Sequence, residues 1–84
     1  KPEVRRSQSL TLKKYTNDKD IPRLGVMVSK KVVKSAVKRN ELKRLIFNQV
    51  RLLLPQLKSF DYLVVISKNN SKEQLIEEIN KLFK

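Results

Sequence analysis

Alternating apolar and polar residues predict three strands in this chain. In LTLKKYT, Leu10 and Leu12 face one way while Lys13 and Tyr15 face the other, as in a strand with one buried face. RLGVMVSKK and FDYLVVIS instead carry apolar residues on both faces near their centres. We therefore expect these two strands to be covered on two sides. The predicted strands span residues 10–16, 23–31 and 60–67.

Two further stretches of the N-terminal half have no period. KPEVRRSQS (1–9) is polar and basic, and we predict that it forms a frayed end. NDKDIP (17–22) combines Asn, Asp and Pro, which are residues that favour turns. Asp18 and Asp20 lie in this segment, and turn formation explains them better than a metal pair does. We therefore assign no metal ligand.

Apolar residues at helical spacing predict two helices. The first spans roughly 35–54 and ends before Pro55, which a helix interior does not accept. The second begins after Ser71, which can form a capping box with Gln74. The apolar side of the first helix consists of Leu42, Leu45, Ile46, Val50 and Leu53, and its other side carries Asn40, Lys43, Arg44, Phe47 and Arg51.

The order strand, strand, helix, strand, helix predicts one domain over residues 1–84. Its fold class is α+β, with a small mixed sheet packed against helices. No internal repeat or low-complexity segment divides the chain.

The charge of the chain indicates that this small domain binds a polyanion. The chain has 84 residues and a net charge of +12, from 20 Lys and Arg against 8 Asp and Glu. Such an excess favours nucleic acid first and an anionic membrane surface second. With no Cys and no His, the chain lacks disulfides, thiolate metal sites and the commonest general acid–base group. No spanning segment or signal peptide is visible, so a soluble cytoplasmic protein is the default expectation.

The start of the first helix concentrates this charge. A helix N-terminus already attracts anions, and only Glu41 opposes the cations gathered there. This surface is either a solvated charged face or a contact for phosphates, and we favour the second. The candidate RNA-binding residues are Lys30, Lys31, Lys34, Lys38, Arg39, Asn40, Lys43, Arg44 and Arg51. Arg39 lies nearer the apolar border and is also expected to hold the helix in place.

Three more residues are candidates for base stacking or strand contact. Phe47 falls among the basic residues of the helix, where it is either covered by another part of the fold or a platform for a base. Tyr15 and Lys13 lie on the outer face of the first predicted strand. They form either a single-strand platform or an edge protected by Lys.

These segments together resemble the bacterial ribonuclease P protein subunit. RLGVMVSKK, KSAVKRNELKR and FDYLVVIS carry the resemblance, which covers about residues 8–83. That family has an Arg-Asn-Arg signature in a longer basic pattern. The residues that match the pattern are Lys34, Ala36, Val37, Arg39, Asn40, Lys43 and Arg44.

The resemblance implies both a fold and a function. It implies a left-handed crossover between residues 23–31 and 60–67, as in the second domain of a small-subunit ribosomal protein. It implies a catalytic RNA partner with Mg²⁺ at the RNA active site, precursor tRNA as substrate, and maturation of the tRNA 5′ end. The protein subunit itself would carry no catalytic residue and no cofactor. It would bind the RNA through the signature helix and the 5′ leader beside the sheet.

The chain departs from the family pattern at three points. Glu41 replaces a basic residue at the third signature position, and Phe47 stands where the family often has Arg. Only about nine residues precede LTLKKYT, so the N-terminal helix and strand of the family are expected to be missing here, in a chain truncated relative to the family.

Two other functions remain open from the sequence. One is a ribosomal-type RNA-binding protein with no part in cleavage. The other is a membrane-surface protein that uses a basic amphipathic helix, which requires the apolar side of residues 42–53 to be exposed.

Overall fold

One mixed four-stranded sheet and two helices form the domain. The computed structural model describes residues 3–18, 20–53 and 59–83. The strand order in the sheet is β1-β2-β4-β3. The elements in chain order are β1 (Glu3–Arg6), β2 (Leu10–Thr16), β3 (Arg23–Val28), α1 (Ala36–Arg51), β4 (Phe60–Ile66) and α2 (Lys72–Leu82).

The pairing of the strands confirms the α+β prediction. β2 pairs antiparallel with β1 and with β4, while β3 pairs parallel with β4. A parallel pair needs a crossover connection, and α1 supplies it. The crossover is therefore present where the family resemblance places it, and its left hand stays a prediction.

The N-terminal segment is where the sequence prediction is wrong. Residues 3–6 form β1 instead of a frayed end, so a strand does precede β2. Arg5 fastens this strand, because its Nη1 donates to the carbonyl of Leu82 at 3.3 Å, at the C-terminal end of α2. A guanidinium there also complements the helix dipole. A long-range contact of this kind leaves no periodic pattern in the sequence, and this is why the strand was not predicted.

Both helices pack on the same face of the sheet and bury the core there. α1 contacts β3 and α2, while α2 also contacts β2. The predicted apolar side of α1 is confirmed, since Ile46 and Val50 are fully buried and Leu42 nearly so. The sheet contributes Leu10, Leu12, Tyr62, Val64 and Ile66 to the core, and α2 contributes Leu75, Ile79 and Leu82.

The second face of the sheet carries no helix among the described residues. Met27, near the C-terminal end of β3, is 55% exposed, and Tyr15 is 39% exposed. The prediction that 23–31 and 60–67 are covered on both sides is therefore wrong for β3, and Leu63 and Val65 of β4 are only partly buried. The apolar residues on this face belong to an accessible surface, which we call the open face.

Element boundaries differ from the predictions by a few residues. β3 ends at Val28 because Ser29 begins a turn, in which its carbonyl accepts from the N–H groups of Val32 and Val33, both at 3.1 Å. α1 ends at Arg51, earlier than the predicted residue 54. Pro55, the predicted helix terminator, lies outside the described residues. Neither helix in the described ranges is long and apolar enough to cross a membrane.

A buried polar cluster joins the turn between β1 and β2 to α2. Glu78 is 4% exposed and accepts hydrogen bonds from the hydroxyl of Ser7, from the backbone N–H of Ser9 at 2.7 Å and from the amide of Gln74 at 3.0 Å. Desolvation raises the pKa of Glu78, but these hydrogen bonds together outweigh it, and the pKa lies below its ordinary value. The carboxylate therefore stabilises the fold in its charged form.

We expect Glu78→Gln to lower the free energy of unfolding near neutral pH by about 1–2 kcal/mol, because a charged acceptor bonds more strongly than an amide. The folded-state pKa is depressed, so this stabilisation is present above the unfolded value near 4.5 and is lost as the pH falls through the folded-state pKa. The difference between the two proteins should shrink on acidification. Urea unfolding at a series of pH values measures it.

Glu77→Gln is the matched control for this experiment. Glu77 is exposed and its ion pair with Lys81, at 3.4 Å, lies on the surface of α2. Its loss should change stability by less than about 0.5 kcal/mol. A stability difference at Glu78 that stays constant with pH would contradict the assigned role of its charge.

Candidate nucleic-acid interface

The N-terminal part of α1 is fixed to the preceding turn by local hydrogen bonds. The Ser35 hydroxyl caps the helix by accepting from the Lys38 N–H at 3.3 Å. Arg39 Nη1 donates to the carbonyls of Val33 at 3.0 Å and Lys34 at 2.8 Å. Val33 is itself buried, so the turn and the helix start form one rigid unit. The expectation that Arg39 holds the helix in place is therefore confirmed.

The other basic candidates project from this rigid unit into solvent. The first turn of α1 contains no acidic residue. None of the candidate cations forms an ion pair with the described part of the chain, since the ion pairs there involve other residues. Lys43 is half-buried, and the exposed members are Lys30, Lys31, Lys34, Lys38, Asn40, Arg44 and Arg51. We call this group, with Lys43, the basic surface.

Phe47 lies in the basic surface and is not covered by the rest of the described fold. Its side chain is 41% exposed. Val37, one helical turn before Asn40, is 67% exposed. An exposed aromatic ring among cations is suited to stacking on a base, and this role of Phe47 stays a prediction.

Glu41 does not share the surface of its cationic neighbours. It faces a groove between α1 and the loop that joins β4 to α2, beside Asn69 and Lys72. The carboxylate forms no ion pair with Arg44, whose positive charge therefore stays uncompensated within the described part of the chain. The sequence identified Glu41 only as the residue that opposes the cations, because the groove forms only when α2 packs beside α1.

Lys13 and Tyr15 lie on the open face, on the opposite side of the sheet from the helices. In the strand register, Lys13 is opposite Leu63 and Tyr15 is opposite Asp61. The sequence analysis missed Val4, which is opposite Lys13 in β1 and 41% exposed, because β1 itself was missed. The open face and the basic surface are therefore two separate regions of the domain.

Asp61 stabilises one end of the open face. Its carboxylate accepts two hydrogen bonds from Arg23, both at 2.7 Å, and one from the Asn17 amide at 2.9 Å. These bonds, from Arg23 first and then Asn17, lower the pKa of Asp61 to about 2. Asp18 and Asp20 are exposed in the turn beside it. Within the described ranges, no group of three or more acidic, His or Cys side chains is placed to hold a metal ion.

The fold and surface define a class of small basic α+β proteins in which a cationic helix connects two parallel strands. The chain belongs to the Ribonuclease P family, whose model matches residues 1–84.

Its relatives in other bacteria support this membership. The chain is 39% identical over 80 residues to the ribonuclease P protein component of Pseudomonas fluorescens, covering 92% of this chain and 60% of that protein. It is 41% identical over 76 residues to the ribonuclease P protein component of Photobacterium profundum, covering 90% of this chain and 64% of that protein. The chain thus spans less than two thirds of the length of these relatives.

A solved structure shows the same fold. The RNase P protein from Thermotoga maritima, solved in complex with 1-(4-fluorophenyl)-2-thiourea, superimposes with a TM-score of 0.87 at 24% sequence identity. The match covers 99% of this chain and 84% of that one. This likeness confirms the predicted fold class.

Arg39 and Arg44 should respond differently to truncation. Arg39→Ala removes two hydrogen bonds to backbone carbonyls, so we expect a loss of about 1 kcal/mol in the free energy of unfolding. Arg44→Ala should leave stability unchanged and reduce the salt slope of RNA binding by about one unit for a lost phosphate contact. Urea unfolding and binding titrations at several salt concentrations measure the two effects.

Arg39→Lys tests the geometry of the clamp, because an ammonium keeps the charge but lacks the planar fork of donors. It should keep the charge but not the full stability of the wild-type protein. Equal stability losses at positions 39 and 44 would contradict the division of roles.

Proposed function

We propose that this chain acts as the protein component of ribonuclease P, binding the catalytic RNA subunit and supporting maturation of the 5′ ends of precursor tRNA. The observation that carries the proposal is a cationic helix face that forms no ion pair with the residues the structure describes, in a chain that belongs to the Ribonuclease P family. The relatives' names place those proteins in the same complex.

The basic surface is the proposed contact with the catalytic RNA. Lys and Arg side chains release condensed counterions from RNA when they bind its phosphates, and this release drives association. The clamp of Arg39 keeps the helix start rigid, so little conformational entropy is lost on binding. Phe47 can add stacking on an unpaired base. With a net charge of +12, the protein also offsets repulsion between two RNA molecules.

The open face is the proposed contact with the single-stranded 5′ leader. Tyr15 supplies an aromatic platform and Lys13 a cation, and the apolar side chains of Val4 and Leu63 are opposite Lys13 on the neighbouring strands. Such a combination binds single strands with little sequence preference. Because the open face and the basic surface are separate, one protein can contact the leader and the catalytic RNA together.

We assign the cleavage chemistry to the RNA partner, where bound Mg²⁺ would supply it. Two well-placed carboxylates of the chain already have structural roles, Asp61 with Arg23 and Glu78 with Ser9. The chain also has no His to move a proton near neutral pH. Its own residues are suited to binding and orienting RNA.

The structure contradicts membrane-surface binding by α1. That function needs the apolar side of the helix to be exposed, but Ile46 and Val50 are fully buried against the sheet and α2. The accessible side of α1 carries the basic surface and Glu41.

Cleavage of precursor tRNA by the cognate catalytic RNA at low Mg²⁺ tests the proposal. We expect the protein to increase kcat/KM and to favour precursor over mature tRNA. The double variant Lys43→Ala, Arg44→Ala should lose most of this increase. The double variant Lys68→Ala, Lys81→Ala removes two exposed cations that lie outside the basic surface and should retain it. An unchanged rate with the wild-type protein, or selective recovery of ribosomal RNA with it, would contradict the proposal.

Tyr15→Ala should specifically reduce discrimination of the leader. Loss of a base-stacking platform costs about 1–3 kcal/mol, so the preference for precursor over mature tRNA should fall by about 5-fold or more. Tyr15→Phe keeps the ring and should keep the preference. Phe47→Ala should weaken catalytic RNA binding without changing that preference. Fluorescence titrations with the two tRNA forms measure all three variants.

A further inference from the structure

The groove that contains Glu41 borders the basic surface, with which it shares Lys38, and it is separate from the open face. It lies between α1 and the loop that leads into α2 and has a volume of about 260 Å³. This is slightly below the range of drug-sized ligand sites, so it suits one nucleobase and not a larger molecule. The polar side chains that line it are Lys38, Glu41, Asn69, Asn70, Ser71 and Lys72.

Both walls of this groove are held in place by contacts within the fold. On one side, Ser35 caps α1 and Arg39 clamps it to the turn. On the other side, the Asn70 amide donates to the Ser9 hydroxyl at 2.9 Å, and its carbonyl oxygen accepts from the Ser71 N–H at 2.8 Å. Ser9 is fully buried and anchored to Glu78. A site whose walls are already ordered binds at a small entropic cost.

The groove has an apolar floor, cationic donors at its rim and one anionic acceptor. Val33 and Leu42 are 5% and 8% exposed and form part of the floor. Lys38 and Lys72 supply cations at the rim. Glu41 is exposed and makes no hydrogen bond or ion pair within the part of the chain that the structure describes. It therefore keeps both carboxylate oxygens available to a ligand.

A carboxylate facing a polyanion is unfavourable unless it receives hydrogen bonds from the bound molecule. Within an RNA strand the phosphates have no donor and each internal ribose has only its 2′-hydroxyl, but an unpaired base can supply two parallel donors. The Watson–Crick edge of guanine presents N1–H and the N2 amino group side by side, which matches the two oxygens of a carboxylate. The corresponding edges of adenine, cytosine and uracil present a single donor group each. Guanine O6 can accept from Lys38 or Asn69.

We propose that this groove binds one unpaired guanine nucleotide of the RNA partner, with Glu41 accepting from its base edge and Lys38 or Lys72 contacting its phosphate. The assignment rests on the proposed function for the source of the nucleotide. In this assignment Glu41 selects the base. Its presence where the family has a basic residue is then a gain of specificity, and not simply the loss of a phosphate contact.

Titration of the full chain with each of the four ribonucleoside 5′-monophosphates, followed by NMR, tests the assignment without any catalytic RNA. Guanosine 5′-monophosphate should shift the Asn69 side-chain amide and the Glu41 backbone amide, and bind at least about 5-fold more tightly than the other three, as expected for one bidentate base contact. Glu41→Gln should remove this preference. Glu77→Gln, an exposed change on α2, should retain it.

The outcomes separate this inference from the proposed function. Equal affinities for the four nucleotides, or shifts confined to the basic surface, would overturn the guanine site while leaving RNA binding by α1 intact. A guanine preference that survives Glu41→Gln would also overturn it. Failure of the proposed function would instead show as an unchanged cleavage rate, whatever the nucleotide preference of the isolated protein.

Discussion

The burial of one side of α1 against β3 and α2 is the interaction on which the rest of the structure depends. Three apolar side chains, Leu42, Ile46 and Val50, are removed from water there, at about 1.5–3 kcal/mol each. This burial sets the rotation of the helix about its axis. Once that rotation is set, the cations on the remaining surface must face solvent, and Glu41 must face the groove beside α2.

Electrostatic repulsion within the basic surface opposes this arrangement. A helix start without acidic residues is unfavourable in isolation, because like charges add to the positive end of the dipole. The fold compensates with the Ser35 cap and the clamp from Arg39, which places one of the cations on backbone carbonyls. The remaining cations keep their charge available to an external anion. The Ser35 cap and the Arg39 clamp thus stabilise the helix start without using the cations that are proposed to bind a partner.

The buried carboxylate of Glu78 stabilises the other half of the domain through hydrogen bonds of its own. It joins the turn before β2 to α2 through Ser7 and Ser9, and Ser9 in turn accepts from the N–H groups of Ser67 and Lys68. The loop that forms one wall of the groove is ordered by these bonds. The buried cluster around Glu78 therefore supports one wall of the groove that is proposed to bind a base.

The sequence by itself determined the strands 10–16 and 60–66, both helices and the opposition of apolar and basic sides on α1, because periodicity and capping are local properties. It also indicated the family through residues 34–44. Tertiary structure alone decided that residues 3–6 form a strand, that one face of the sheet stays open, and that Glu41 lines a groove. Each of these depends on contacts between residues distant in the chain, such as Arg5 with Leu82, and such contacts have no local pattern.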